Sequence, residues 1–309
     1  MIELRTSLRF VEERLSARID NIVSELKDKL VGKFQDANIK ILTEASIPNS
    51  PSGPDRPRIL LYTGLLTFAL GLGLVVLIDV LDDRINNEDD LMRFIHLPFL
   101  GAIHRIKKTK DEFKRDSYVL HEPLSETAEA FKLLRVNINF ATAAEHRKTI
   151  LVTSTLPQEG KTFVAANLAI SKAQDGKKIL LVDADLRRPR IHKVFNIGNK
   201  AGLSNILTTQ MPASEAIQKT SVENLDVITS GPPSPNPPEI FASRAMGEFL
   251  KEIQSKYETI LFDAPPCFGI PDALVLGSML GATIYVIRAH KTSYKLIAKA
   301  KAHLEGKNV

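Results

Sequence analysis

The spacing of apolar residues changes character several times along the chain, and each change predicts a different element. Leu4, Leu8, Val11, Leu15, Ile19, Ile22, Leu26 and Leu30 recur at steps of three and four, with charged residues between them. That period predicts one long amphipathic helix. A solitary helix cannot bury such a stripe, so a partner from outside the chain or from oligomerisation is expected. The period breaks in residues 47–57, where Pro48, Pro51, Pro54 and Pro57 make a stiff extended linker. Residues 59–78 then contain no charge at all. At about 1.5 Å per residue such a run crosses the ~30 Å hydrocarbon layer of a bilayer as a helix. It lies too far from Met1 for a signal peptide and no small-residue cleavage site follows, so a transmembrane helix is predicted.

The pattern shortens beyond the apolar run. Residues 82–87 are polar, residues 88–94 predict a short helix, and Pro98-Phe99-Leu100-Gly101-Ala102-Ile103 predicts a strand after a turn. Residues 104–115 hold six Lys or Arg and few apolar residues, which reads as a solvated linker. A helix is expected over residues 125–139, and short buried-strand runs then alternate with helical patterns to the end. This predicts an α/β fold with a doubly wound, mostly parallel sheet. The expected organisation is a helical stalk (1–46), a Pro-rich linker (47–58), a transmembrane helix (59–81), a juxtamembrane segment (82–122) and a globular domain (123–309).

Composition narrows the picture. The 309 residues, 44% hydrophobic, suffice for one sizeable core. A net charge of +5 is too mild to argue for nucleic acid. The single cysteine, Cys267, excludes an internal disulfide and reads as an inert small residue, and the seven histidines lack ligand spacing. Arg56 and Arg58 precede the apolar run, whereas Arg84, Arg93, Arg105, Lys107, Lys108 and Lys110 follow it, which places the C-terminal side in the cytoplasm.

Candidate chemistry begins at Ser154-Thr155-Leu156-Pro157-Gln158-Glu159-Gly160-Lys161-Thr162, between a strand-like run and a helix-like run. A helix N-terminus offers unpaired N–H groups to phosphate, Lys161 adds a charge, and the Thr162 hydroxyl is placed for Mg²⁺. Thr155 stands where the usual phosphate-loop pattern has glycine. Two further apolar runs end in Asp183-Ala184-Asp185 and in Asp263. In a parallel sheet such ends converge on the ligand crevice, where carboxylates can hold a metal or orient a nucleophile.

These residues resemble one family closely. Residues 154–162 match the Walker A form, residues 179–189 the Walker A′ form and residues 260–266 the Walker B form of a bacterial polysaccharide co-polymerase fused to a P-loop tyrosine autokinase (BY-kinase). The similarity extends to residues 231–239, and residues 97–101 look like the end of a chain-length-determinant module. The resemblance implies an inner-membrane protein with a cytoplasmic kinase domain, an extracytoplasmic stalk and a role in exopolysaccharide or capsule assembly. It implies ATP and Mg²⁺, with Pro157, Glu159, Gly160, Lys161, Thr162 and Phe163 at the nucleotide and Thr162, Asp183 and Asp263 at the metal. Lys161, Asp183, Asp185 and Asp263 are the implied catalytic set, with Asp183 orienting or deprotonating a tyrosine. Glu129, Lys132 and Arg135 resemble the motif through which the family closes into homo-oligomeric rings, Lys132 departing from the usual arginine. Implied partners are polysaccharide polymerase and export machinery and a cognate tyrosine phosphatase, not nucleic acid. The family's C-terminal tyrosine cluster is absent: the tyrosines are Tyr62, Tyr118, Tyr257, Tyr285 and Tyr294. A fragment is therefore expected, lacking a further core strand and an upstream membrane helix. The alternative reading is a non-kinase co-polymerase scaffold whose nucleotide state controls assembly. A partitioning-type ATPase fits less well, because Leu156 stands where those proteins carry a second lysine.

Overall fold

A computed structural model describes residues 2–36, 53–106, 112–143 and 146–305. They fall into two units, Met1–Val76 and Leu77–Val309. The first contains helix α1 (Ile2–Asp36) and most of helix α2 (Arg56–Leu81). The stripe residues Val11, Leu15, Ile19, Ile22, Leu26 and Leu30 are all about half exposed, so α1 forms with its apolar face uncovered. Among the described residues, α2 is the one helix long and apolar enough to cross a membrane, and none of its side chains is buried. It starts earlier than the uncharged run: the Asp55 carbonyl accepts the Ile59 N–H, and the Asp55 carboxylate pairs with Arg58 at 2.9 Å beside the helix N-terminus. The Thr63 and Thr67 hydroxyls donate to the Ile59 and Thr63 carbonyls at 2.7 and 2.8 Å, so neither leaves a bare donor on an apolar surface.

The second unit opens with four short or medium helices: α3 (Glu88–Ile95), α4 (Glu112–Asp116), α5 (Tyr118–His121) and α6 (Glu126–Ala141). Strand β1 (Thr149–Ser154), helix α7 (Lys161–Ala173) and strand β2 (Ile179–Asp183) follow, then helices α8 (Ile191–Val194), α9 (Leu203–Thr209) and α10 (Ala213–Ala216). Strands β3 (Ile217–Lys219) and β4 (Leu225–Ile228) lead to helices α11 (Pro237–Phe241) and α12 (Arg244–Gln254). Strand β5 (Thr259–Asp263), helix α13 (Asp272–Gly277), strand β6 (Ala282–Val286) and helix α14 (Tyr294–Glu305) complete the order.

The described strands form one sheet in the order β3-β4-β2-β5-β1-β6, parallel except for the β3–β4 edge pair. Strands β1, β2 and β5 are buried at every position, which is why they read as unbroken apolar runs rather than as alternation. Alternate side chains still go to opposite faces. Ile150, Val152, Ile179, Leu181 and Leu261 pack with α6 and α7, while Leu151, Leu180, Val182, Ile260 and Phe262 pack with α9, α12, α13 and α14. Helix α6 starts at an Ser125 cap whose hydroxyl accepts the Ala128 N–H at 3.2 Å. Gly202 lets α9 approach the turn at Gly231: a Cβ there would lie 2.2 Å from both the Gly231 nitrogen and the Thr229 carbonyl.

Two expectations need correction. Residues 98–103 form no strand: Leu100 and Ile103 fold onto the α6/α7 side of the core, and the Leu100 carbonyl is taken by the Asn137 side-chain amide at 2.8 Å. The globular unit also does not begin near Pro123, because residues 82–106 pack against it. Ile85 and Ile95 are buried with Ile297, beside Leu91, Leu97, Ile287 and Tyr294. Ile85 N–H donates to the Thr292 carbonyl, its own carbonyl accepts from His290, and the Tyr294 N–H donates to Asp83. Isolated apolar residues in a polar stretch carry no periodicity, so nothing in the sequence announced this packing. Residues 107–111 of the basic stretch lie outside the described residues.

Candidate active site

Strand β1 delivers the chain to a turn at residues 155–160, and α7 starts immediately after it. Gly160, at φ +103°, takes the N-cap position in a left-handed conformation that disfavours any side chain, and no side chain caps the helix. The first-turn N–H groups are thus left for an anionic ligand. The loop is held from behind. Glu159 is buried, accepting the Leu156 N–H at 2.7 Å with one oxygen and the Thr292 hydroxyl with the other. Thr155, in the position of the usual glycine, is buried with its hydroxyl 2.8 Å from that of Tyr285 on β6. Cys267 donates to the same tyrosine oxygen at 3.6 Å, and burial pushes its thiol pKa up, in keeping with an inert role. Arg288 donates to the Gln158 carbonyl at 3.2 Å.

The predicted acidic convergence is present. The Lys161 ammonium lies 2.8 Å from Asp185 and 3.6 Å from Asp263. Burial opposes its charge, but Asp263 and Asp185 outweigh that and hold its pKa above the ordinary lysine value. Asp183 is fully buried: one oxygen accepts the Asp185 N–H at 3.2 Å, the other the Arg190 and Ile191 N–H groups at 3.0 Å each. Burial, then the neighbouring Asp263, push its pKa up to about 8. Asp263 is raised by burial against the pull of Lys161, and both its oxygens are buried without a hydrogen-bond partner. Among the described residues Asp263 is thus ion-paired with Lys161 alone, which leaves its second oxygen open to a divalent cation.

The other expected residues divide. Thr162 is half-buried in the first turn of α7 and Pro157 is exposed on the loop. Phe163 directs its ring into the core, edge-on to Phe131 at 5.8 Å, and the Glu159 side chain is spent on the loop's own shape. For these two, only the backbone is left for a nucleotide. Glu129, Lys132 and Arg135 sit on α6, outside the cluster. Glu129 and Lys132 pair at 2.7 Å, and Arg135 donates to the Ser171 carbonyl at 2.7 Å and faces Asp175 at 3.4 Å within the same chain.

Sequence reasoning missed three supports. Arg187 forms a two-pronged pair with fully buried Asp272, at 2.8 and 3.0 Å, tying the turn after β2 to α13. Arg190 pairs with Asp116 at 2.7 Å. Thr292 joins Glu159 of the loop to the segment around Ile85. The Leu-Arg-Arg-Pro run was a visible signal for Arg187; the other two are long-range contacts without a local pattern.

The fold and the site together define a P-loop protein, with phosphate loop, lysine and acidic cluster at the carboxyl ends of a parallel sheet. A family model described as an AAA domain matches residues 147–297. The tyrosine-protein kinase YwqD of Bacillus subtilis (strain 168) is 39% identical over 198 residues, covering 64% of this chain and 84% of that protein. The tyrosine-protein kinase ptk of Acinetobacter johnsonii is 27% identical over 292 residues, covering 92% of this chain but only 40% of that protein. Among solved structures, the chimerical protein CapA2B2 superposes with a TM-score of 0.66 at 34% identity, covering 72% of this chain and 94% of that one. The kinase domain of Escherichia coli tyrosine kinase ETK gives 0.65 at 27% identity, covering 72% and 91%. The chain belongs to the bacterial tyrosine-protein kinases.

Proposed function

We propose that this chain is a membrane-anchored kinase that transfers the terminal phosphoryl group of ATP to tyrosine in an exopolysaccharide or capsule system. The observation that carries the reading is the pairing of an uncapped α7 N-terminus with Lys161 between Asp185 and Asp263. Lys161 and the loop N–H groups bind the phosphates, and Thr162 and Asp263, with Asp183 behind them, would hold Mg²⁺. The metal would neutralise charge on the phosphate oxygens. The tyrosine oxygen forms a bond to the terminal phosphorus as the bond to the bridging oxygen of ADP breaks. The hydroxyl proton passes to Asp183, the carboxylate that ends β2. Asp183 also holds the turn at residues 185–191 through its three backbone contacts.

The acceptor tyrosine comes from outside the described fold of this subunit. Tyr257 is buried and hydrogen-bonded, Tyr285 is half-buried with its hydroxyl beside that of Thr155, Tyr118 and Tyr294 are half-buried, and Tyr62 lies in α2. Glu129, Lys132 and Arg135 contribute to homo-oligomer formation, with polysaccharide polymerase and export machinery and a tyrosine phosphatase as partners. The test is Lys161→Met, assayed for ATP binding and for phosphotyrosine on wild-type acceptor. Loss of both is expected, and unchanged ATP affinity would overturn the site. ATP binding by the wild type without any phosphotyrosine formation would instead support a nucleotide-controlled scaffold.

A further inference from the structure

A second basic site stands at the opposite edge of the sheet. Helix α7 runs back along the parallel strands, so its last turn lies beside their starts, about 16 Å along the helix from Lys161. In that turn Lys172 is only 2% exposed, yet its ammonium has no hydrogen-bond or ion-pair partner among the described residues. It lines a pocket of ≈140 Å³ together with Asn139, Arg147, Lys177, Glu258 and Thr259. Arg147 stands just before β1 and Lys177 just before β2; Lys177 is otherwise held only by a 3.9 Å contact to Asp175. The one carboxylate of the lining, Glu258, accepts the Lys178 N–H at 3.4 Å. Three cations thus face one carboxylate in the lining, and beside it Asp175 is shared between Lys177 and Arg135, at 3.9 and 3.4 Å, which leaves positive charge in excess.

A buried ammonium without a counter-charge is strongly unfavourable, and adding two cations beside it makes matters worse unless something negative joins them. The pocket is too small for a nucleotide and large enough for one tetrahedral oxyanion. The C-terminal dipole of α7 opposes an anion there, but its partial charge is smaller than the three full positive charges. The Asn139 amide and the Thr259 hydroxyl add neutral hydrogen-bonding groups. We propose that this pocket is a binding site for a phosphate dianion, either free or as the phosphomonoester end of a larger molecule, distinct from the phosphate loop and not dependent on the kinase reading.

The test uses the full chain in detergent, saturated with Mg-ADP so that the phosphate loop is occupied, and titrated calorimetrically with inorganic phosphate and with O-phosphotyrosine at constant ionic strength. One equivalent of phosphate should bind, and Lys172→Met should weaken it about tenfold or more. Arg147→Ala, at a half-exposed position that does not endanger folding, should weaken it severalfold. Tighter binding of O-phosphotyrosine than of phosphate would assign the site to a phosphorylated side chain; equal or weaker binding would assign it to the free ion. No phosphate binding by the wild type, or binding indifferent to both Lys172→Met and Arg147→Ala, overturns the proposal.

Discussion

Helix α7 carries two enclosed lysines with opposite surroundings. Lys161 at its start faces Asp185 and Asp263, and its charge is favoured; Lys172 near its end faces Lys177, Arg135 and Arg147, with only Asp175 opposing them. Burial first, then those cations, lower the Lys172 pKa to about 8 from the ordinary 10.5. The folded protein therefore releases this proton more readily than the unfolded chain. The resulting penalty, about 3 kcal/mol, is fully present below pH 8 and fades as the pH rises toward 10.5. In phosphate-free buffer, Lys172→Met should be more stable than the wild type at pH 7, with the difference shrinking by pH 10; denaturant unfolding in detergent measures it. A difference that does not depend on pH would mean that Lys172 is neutral or paired. Arg187→Met tests the opposite arrangement. It strands the fully buried Asp272 carboxylate, and because Arg187 is itself half exposed, a loss of about 2–4 kcal/mol is expected at pH 7 by the same unfolding measurement.

At the scale of elements, the phosphate loop is shaped less by its own residues than by what stands behind it. The turn after β6 supplies Thr292 to Glu159 and Arg288 to the Gln158 carbonyl, and the same turn is clasped by residues 83–85. Thr292→Val keeps the shape and removes the hydroxyl, leaving a buried carboxylate oxygen without its donor at a cost of ~1–3 kcal/mol. ADP affinity should fall severalfold while the sheet stays folded; unchanged affinity, measured by nucleotide titration, would show that the loop holds its form unaided. The segment before Pro123 behaves as part of the domain for the same reason, since it closes a small apolar cluster around Ile85, Ile95 and Ile297.

For the whole molecule, α2 is long and apolar enough to cross a membrane, and from the charge excess on its C-terminal side we propose that the Leu77–Val309 unit faces the cytoplasm and α1 the other side. Protease added to spheroplasts should digest α1 alone, and digestion of the sheet domain instead would reverse this arrangement. The chain spans about four-fifths of its Bacillus relative and two-fifths of its Acinetobacter relative, the longer match including the region of α1 and α2.

Local chemistry was enough to find much of this protein in the sequence. Gly160-Lys161-Thr162 after an apolar run, and two apolar runs ending in Asp183 and Asp263, announce a phosphate loop facing acidic strand ends, because glycine at positive φ and carboxylates at strand ends act where they stand. Periodicity likewise announced α1, and the length of an uncharged run announced α2. Tertiary structure alone decided which groups are spent elsewhere. Glu159 and Phe163 turn inward, Asp183 caps a turn, and Asp263 is ion-paired only with Lys161 among the described residues. It also decided that residues 98–103 give up a strand for a side-chain amide, and that Lys172, Arg147 and Lys177 meet at one pocket. Those outcomes rest on contacts between residues tens to hundreds of positions apart, and burial, which sets both their cost and their pKa values, exists only once the sheet has formed.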